Sequence, residues 1–251
     1  MTERILIEVC VDSVASAVAA ERGGASRVEV CSNLLEGGVT PSAGLIAEVR
    51  SKISIGLHLI IRPRPGDFCY ADEEIDIMRR DIEMAKELGA DGLVVGVLDS
   101  AGRVNIDRTR QLVELAQPLS VTFHRAFDMS ADLFGALDDV CATGAHRILT
   151  SGGEQTCLQG SNTIASLVKS ARGRITIMAG GGIGLDDATT IIERTGVREI
   201  HVGLSSILPS PMRFRNPKVS MGRSPNREYL RVQVLEEKVR ELQRAISLAK
   251  T

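Results

Sequence analysis

The feature that most limits the fold is an alternation. Short apolar segments with a two-residue period are each followed by a longer stretch with helical spacing, and the pair recurs along the chain. The pattern predicts strands over residues 5–11, 27–31, 55–62, 92–97, 120–124, 147–151, 175–179 and 199–203. Between them Ile75, Met78, Ile82 and Ala85 recur at helical spacing, as do Ile106, Thr109, Val113 and Ala116, and likewise Ile164, Leu167, Val168 and Ala171. Thr40-Pro41 predicts an N-cap with Pro at the first helical position. Gly24, Gly89, Gly144 and Gly196 predict left-handed helix ends. The joints Gly24-Ala25, Gly89-Ala90 and Gly144-Ala145 repeat one another, as one βα unit used many times would.

Eight such units predict a single α/β domain, a (β/α)₈ TIM barrel, and 251 residues is an ordinary length for one. The rival is a doubly wound open sheet, which places its Gly-rich loop after the first strand. Here the first strand ends in Cys10-Val11-Asp12-Ser13, and the Gly-rich turns follow the sixth and seventh strands. Residues 1–204 are assigned to the barrel. Residues 205–251 are assigned to a loop and an extra C-terminal helix packed on it in the same domain. Residues 205–226 are rich in Ser, Pro, Arg and Gly without clear period, and residues 227–250 predict one helix with Leu235, Val239, Leu242 and Ile246 on its stripe. That helix is expected to close one barrel end, with a subunit contact as the alternative.

Composition narrows the setting. A net charge of −2 with scattered Lys and Arg argues against a dedicated nucleic-acid surface. No apolar run approaches the roughly 20 residues of a spanning helix and no leader is visible, so a cytoplasmic chain with no membrane partner is expected. Five widely spaced cysteines without a CxxC pair suit free thiols in a reducing compartment.

Phase then selects what points into the barrel. If Ile5, Ile7, Val9 and Val11 meet the helices, then Glu8, Cys10 and Asp12 point inward. The same argument turns Arg27, Glu29 and Cys31 inward on the second strand, and His58, Ile60 and Arg62 on the third. It does so for Thr122 and His124 on the fifth strand and His201 on the eighth. Barrel interiors are normally filled with branched apolar side chains, and buried charges must pair or face a ligand. Glu8 with Arg62, or Glu29 with Arg27, would satisfy this as internal ion pairs, and His58 as a core histidine. As a functional set, Glu8, His124 and His201 supply proton carriers, and Arg62 supplies an anion anchor. Cys10 and Cys31 are either packing thiols or a soft donor pair for Cu(I) or Zn(II). Cys69, Cys141 and Cys157 show no pairing. Ser151 and Gly152 after the sixth strand, Gly181 and Gly182 after the seventh, and Ser205 after the eighth sit where barrels often bind phosphate through backbone N–H groups. They are the expected anion-binding set.

Several stretches together resemble the CutC copper homeostasis family. They are Glu8-Val9-Cys10-Val11-Asp12-Ser13, Arg27-Val28-Glu29-Val30-Cys31-Ser32-Asn33-Leu34 with Glu36-Gly37-Gly38, and Arg62-Pro63-Arg64 with Gly66-Asp67-Phe68. Phe123-His124-Arg125-Ala126-Phe127-Asp128, Leu149-Thr150-Ser151-Gly152-Gly153 and Gly180-Gly181-Gly182 also match. In the tail, Phe214-Arg215-Asn216 with Met221-Gly222 looks like the animal members. The resemblance implies a (β/α)₈ barrel, a cytoplasmic and also nuclear homo-oligomer, and copper homeostasis with Cu(I) bound by Cys10 and Cys31. Two functions follow: a copper-binding protein, or a barrel enzyme of unassigned proton-transfer, lyase or hydrolase chemistry on a small anionic substrate. A metal-dependent nuclease ranks last, for want of a basic track.

Overall fold

The computed structural model describes residues 4–221 and 227–248. Its strands and helices alternate as β1 (Leu6–Val11), α1 (Val14–Gly23), β2 (Arg27–Val30), α2 (Ala43–Lys52), β3 (Gly56–Ile60), α3 (Asp72–Glu87), β4 (Gly92–Val95) and α4 (Ile106–Ala116). They continue as β5 (Ser120–Phe123), α5 (Leu133–Thr143), β6 (Arg147–Thr150), α6 (Ser161–Ala171), β7 (Thr176–Gly180), α7 (Ala188–Thr195) and β8 (Glu199–Val202). A hairpin of β9 (Ser205–Pro209) and β10 (Leu230–Val234) precedes α8 (Glu236–Leu248).

The eight parallel strands close on themselves. β1 pairs β2 on one side and β8 on the other, with Glu8 level with both Arg27 and His201. This is the (β/α)₈ barrel, and the open-sheet rival is excluded. The main apolar core lies between strands and helices, where Ile7, Val9, Val28, Val30, Leu57 and Leu59 are fully buried. A second, small apolar cluster of Cys31, Ile60 and Val94 lies inside the barrel, with Cys10 and Leu34 against it.

Helix ends follow local chemistry. Gly24, Gly144 and Gly196 are left-handed C-caps with φ of 97°, 83° and 71°. The cap of α2 is Ser42, not Thr40. Ser42 accepts the Leu45 N–H, while the Thr40 hydroxyl is held at the end of β3, where it accepts the Arg62 N–H at 3.0 Å.

The tail departs from its sequence reading in two ways. Residues 205–209 and 230–234 form an antiparallel pair with Ser205 opposite Val234 and Ile207 opposite Val232, so the helix begins at Glu236 rather than near residue 227. Nor does α8 cover an end of the barrel. It lies between α7 and α1 and buries Val239, Leu242 and Ile246, completing the outer ring as its eighth helix. Gly23 makes the contact possible, since a Cβ there would come within 2.4 Å of Val239 Cβ. Gly222 of the tail motif lies outside the described residues.

Candidate functional site

Toward the N-terminal ends of the strands the barrel is filled by charge. Arg27 donates to Glu8 at 2.5 Å and to Glu199 at 2.7 Å, and Arg147 donates to Glu199 at 2.6 Å. Arg147 also donates to the Thr122 hydroxyl, and His58 Nδ1 sits 3.6 Å from Glu8. Two carboxylates and two guanidiniums thus share one largely buried layer, where each charge is tolerable only because of the others. The expected partners were different. Glu8 pairs with its register neighbour Arg27, not with Arg62, and Glu29 does not pair with Arg27. Residues two apart on one strand share a face but point along parallel lines, whereas residues level on adjacent strands reach each other sideways. Arg147 and Glu199 were missed, although strand phase would have turned both inward.

Above this layer, on the β8–β1–β2 seam, four side chains converge. Cys10 Sγ lies 3.6 Å from Cys31 Sγ, and Cys31 Sγ lies 3.4 Å from Glu29 Oε2. His201 Nε2 is 3.8 Å from the same Glu29 oxygen, and His201 Nδ1 is 2.7 Å from Glu8 Oε1. Cys10, Glu29 and Cys31 form a cluster of metal-donor atoms within 4.8 Å of one another. Gly180 leaves room for this histidine, because a Cβ there would stand 2.9 Å from His201 Cβ.

The electrostatics differ from residue to residue. Burial pushes the Glu8 carboxyl up, but the Arg27 charge and the His201 hydrogen bond overcome it and hold the group well below the usual carboxylate range. Glu8 is therefore an acceptor, and it fixes the His201 proton on Nδ1, leaving Nε2 turned toward the thiols. Burial opposes charge on His201, yet hydrogen bonds to Cys10 and Glu8 raise its pKa well above the ordinary value. The Cys31 hydrogen bond lowers Cys10 to about 6 against burial, with His201 assisting. Cys31 is raised by that same hydrogen bond, and burial carries Glu29 up to about 8. The arrangement is a pair of touching cysteine sulfurs, a carboxyl raised by burial, and a His201 ring whose charged form is favoured and which Glu8 orients.

The remaining candidates lie elsewhere. The Arg62 guanidinium is buried and donates to the backbone carbonyls of Glu36, Gly38 and Gly66, so it ties loops together. His124 packs against Phe68 with ring centroids 4.9 Å apart and accepts the Ala126 N–H on Nδ1. Its buried Nε2 has no partner among the described residues, and burial, then the Arg62 charge, lowers its pKa to about 3. Of the anion set, Gly181, Gly182 and Ser205 line a cleft of about 640 Å³ at the C-terminal mouth, whose floor includes His201. Ser151 sits beneath that cleft, and Gly152 packs on Gly160, where a Cβ would clash. A smaller recess of about 230 Å³ opens from under the hairpin onto Cys10. Cys69, Cys141 and Cys157 are free thiols, as are Cys10 and Cys31.

Comparison with known proteins places these residues in context. The CutC family pattern matches residues 5–206. The chain is 49% identical over 219 residues to the copper homeostasis protein cutC homolog of Mus musculus, covering 87% of this chain and 80% of the relative. It is 43% identical over 244 residues to a CutC-family protein of Chromobacterium violaceum, covering 97% of this chain and 99% of the relative. Among solved structures, a CutC protein from Streptococcus agalactiae superposes with a TM-score of 0.74 at 37% identity, covering 78% of this chain and 97% of that one.

Proposed function

Since the chain belongs to the CutC family, we propose that it serves copper homeostasis by holding Cu(I) on Cys10 and Cys31. The observation that carries this reading is the 3.6 Å approach of the two sulfurs inside the barrel. Two thiolates are a soft donor set, and Cu(I) needs few further ligands. At ~2.3 Å per metal–thiolate bond, a linear S–M–S unit needs sulfurs roughly 4.6 Å apart. The observed spacing favours a bent pair with a third donor. We take His201 Nε2 as that donor, since it is softer than the Glu29 carboxylate it lies 3.8 Å from, and metal binding would displace its proton. Glu8 then orients the imidazole from its far side, the usual arrangement behind a ligating histidine. The recess onto Cys10 is the route for entry. Free thiols fit a reducing compartment, so the cytoplasm is the proposed location. No described helix is long and apolar enough to cross a membrane. A homo-oligomer and nuclear copies, both implied by the family resemblance, belong to the same proposal.

Competition titration with a Cu(I) chelator tests the site. We expect one tightly held Cu(I) per chain, lost in the Cys10→Ser, Cys31→Ser double variant. Unchanged stoichiometry in that variant would remove the proposal.

The Glu8–His201 pair favours a second reading: a barrel enzyme performing proton transfer on a small anionic substrate. His201 lies on the floor of the 640 Å³ cleft and is the proton carrier, and Glu8 is its positioning carboxylate. In this reading His124 and Arg62 have a supporting role, since both are tied into the far side of the barrel around Phe68.

A further inference from the structure

The cleft over β7 and β8 contains a preset arginine that neither reading above uses. Asp128 accepts hydrogen bonds from the Thr150 hydroxyl, the Ser151 hydroxyl and N–H, and the Gly153 N–H. So anchored, it binds Arg125 Nε at 2.7 Å. The Ser151 hydroxyl accepts from Arg125 Nη2, also at 2.7 Å. One edge of the guanidinium is therefore locked to the protein, while Nη1 makes no hydrogen bond among the described residues. Gly181 explains how the arginine reaches the cleft. A Cβ there would come 3.3 Å from Arg125 Cζ and 3.0 Å from Ser151 Cβ, and its φ of 127° further excludes a side chain. Helix α8 supplies Lys238, which is steadied by the Ser205 carbonyl and lines the same cleft. Gly203 lies between, and a Cβ there would meet nothing within 4 Å.

We propose that this cleft binds a small phosphomonoester, its phosphate held between Arg125 and Lys238 over the glycine turns and its organic part over His201. The donor geometry favours phosphate over a carboxylate, and the size and charge of the cleft suit a small anionic metabolite. The side-on guanidinium edge, Nε with Nη2, is occupied by Asp128 and Ser151, and Nη2 also faces the Glu154 carbonyl at 3.4 Å, which leaves Nη1 as the free donor and no edge for two parallel bonds to a carboxylate. What remains are single donors on separate elements, the β5–α5 turn and α8, which a tetrahedral dianion can take up separately. The volume of about 640 Å³ also exceeds what an inorganic ion fills and suits a small metabolite. Asp186 is the one acidic residue on the lining among the described residues, so the cations predominate there. This site deepens the enzyme reading by naming its substrate class, and rests on it only for turnover.

The test is calorimetric titration of the full chain with inorganic phosphate, glycerol phosphate and malonate, with Lys238→Gln and Gly203→Asp as variants. Lys238 is at the rim and Gly203 faces open space, so both should fold, and thermal melts verify it; Arg125→Gln is a third arm, whose loss of stability is read separately. We expect saturable binding of both phosphates, weakened about tenfold or more in each variant, with malonate markedly poorer. No saturable phosphate binding overturns the site, as do equal affinities in the variants or malonate binding as well as phosphate. Binding without turnover of any phosphomonoester supports the anion site while ending the enzyme reading. Turnover unaffected by Lys238→Gln and Gly203→Asp does the reverse.

Discussion

His124 and His58 are the residues whose burial has the clearest consequence for the folded state. Burial, aided by the Arg62 charge, lowers His124 from 6.5 to about 3, and burial against the opposing pull of Glu8 lowers His58 to about 4. Unfolding restores the ordinary value of each. Between 6.5 and those lowered values the unfolded chain binds more protons than the folded one, so stability falls as pH falls and is fully present above 6.5. Each histidine should contribute about 1.4 kcal/mol per pH unit inside its window. Urea unfolding at pH 7 and pH 5 should show the loss, and His124→Asn should make it shallower. An unchanged slope would mean that His124 is not buried neutral. At this scale the site was half legible. Strict two-residue periods in β1, β2 and β8 turned Glu8, Cys10, Glu29, Cys31 and His201 inward. Partners were not legible, because period gives a face and not the stagger between strands. Arg125 escaped notice because it lies in a turn, and its role depends on Asp128 and Ser151, which no period connects to it.

At the scale of elements, the ring of helices depends on a close approach between its first and last members. Gly23 ends α1 where Val239 of α8 presses in, and a methyl group there would meet both Val239 and the Glu236 carbonyl at 2.9 Å. Gly23→Ala should therefore destabilise by about 1–3 kcal/mol, read from chemical denaturation, despite the better helix propensity of alanine. Enhanced stability instead would mean that α8 yields freely. The bounds of the barrel strands were plain in the sequence to within a residue or two, since each has an apolar, buried face toward the helices, and the helices between them were plain as stripes without bounds. The β9–β10 hairpin was not. Its strands are short and mostly exposed, with Ile207 66% exposed, and they stand far apart in a stretch rich in Ser and Pro. The alternation in Leu230–Val234 was absorbed into the stronger helical stripe that follows it. Thr40-Pro41 looked like a cap for a similar reason: the hydroxyl that should cap is engaged by a strand the local sequence cannot show.

For the whole molecule, the tail is part of the barrel's closure. Truncation after Leu204 removes α8 together with Val239, Leu242 and Ile246, and bares the faces of α1 and α7 that they cover. Such a chain should lose cooperative thermal unfolding and bind a hydrophobic dye, as a barrel with one helix missing from its ring exposes core. A truncated chain that melts sharply would show that the outer ring tolerates the gap. The seam where β1 meets β8 has a further consequence. During synthesis Cys10 and Cys31 emerge early, whereas His201 emerges some 170 residues after Cys31 and reaches them only when the final barrel strand docks. A growing polypeptide on the ribosome therefore carries two bare sulfurs but no imidazole beside them. The proposed binding cage is complete only late in maturation, so if metal binds there as proposed, its tight capture would be confined to finished chains.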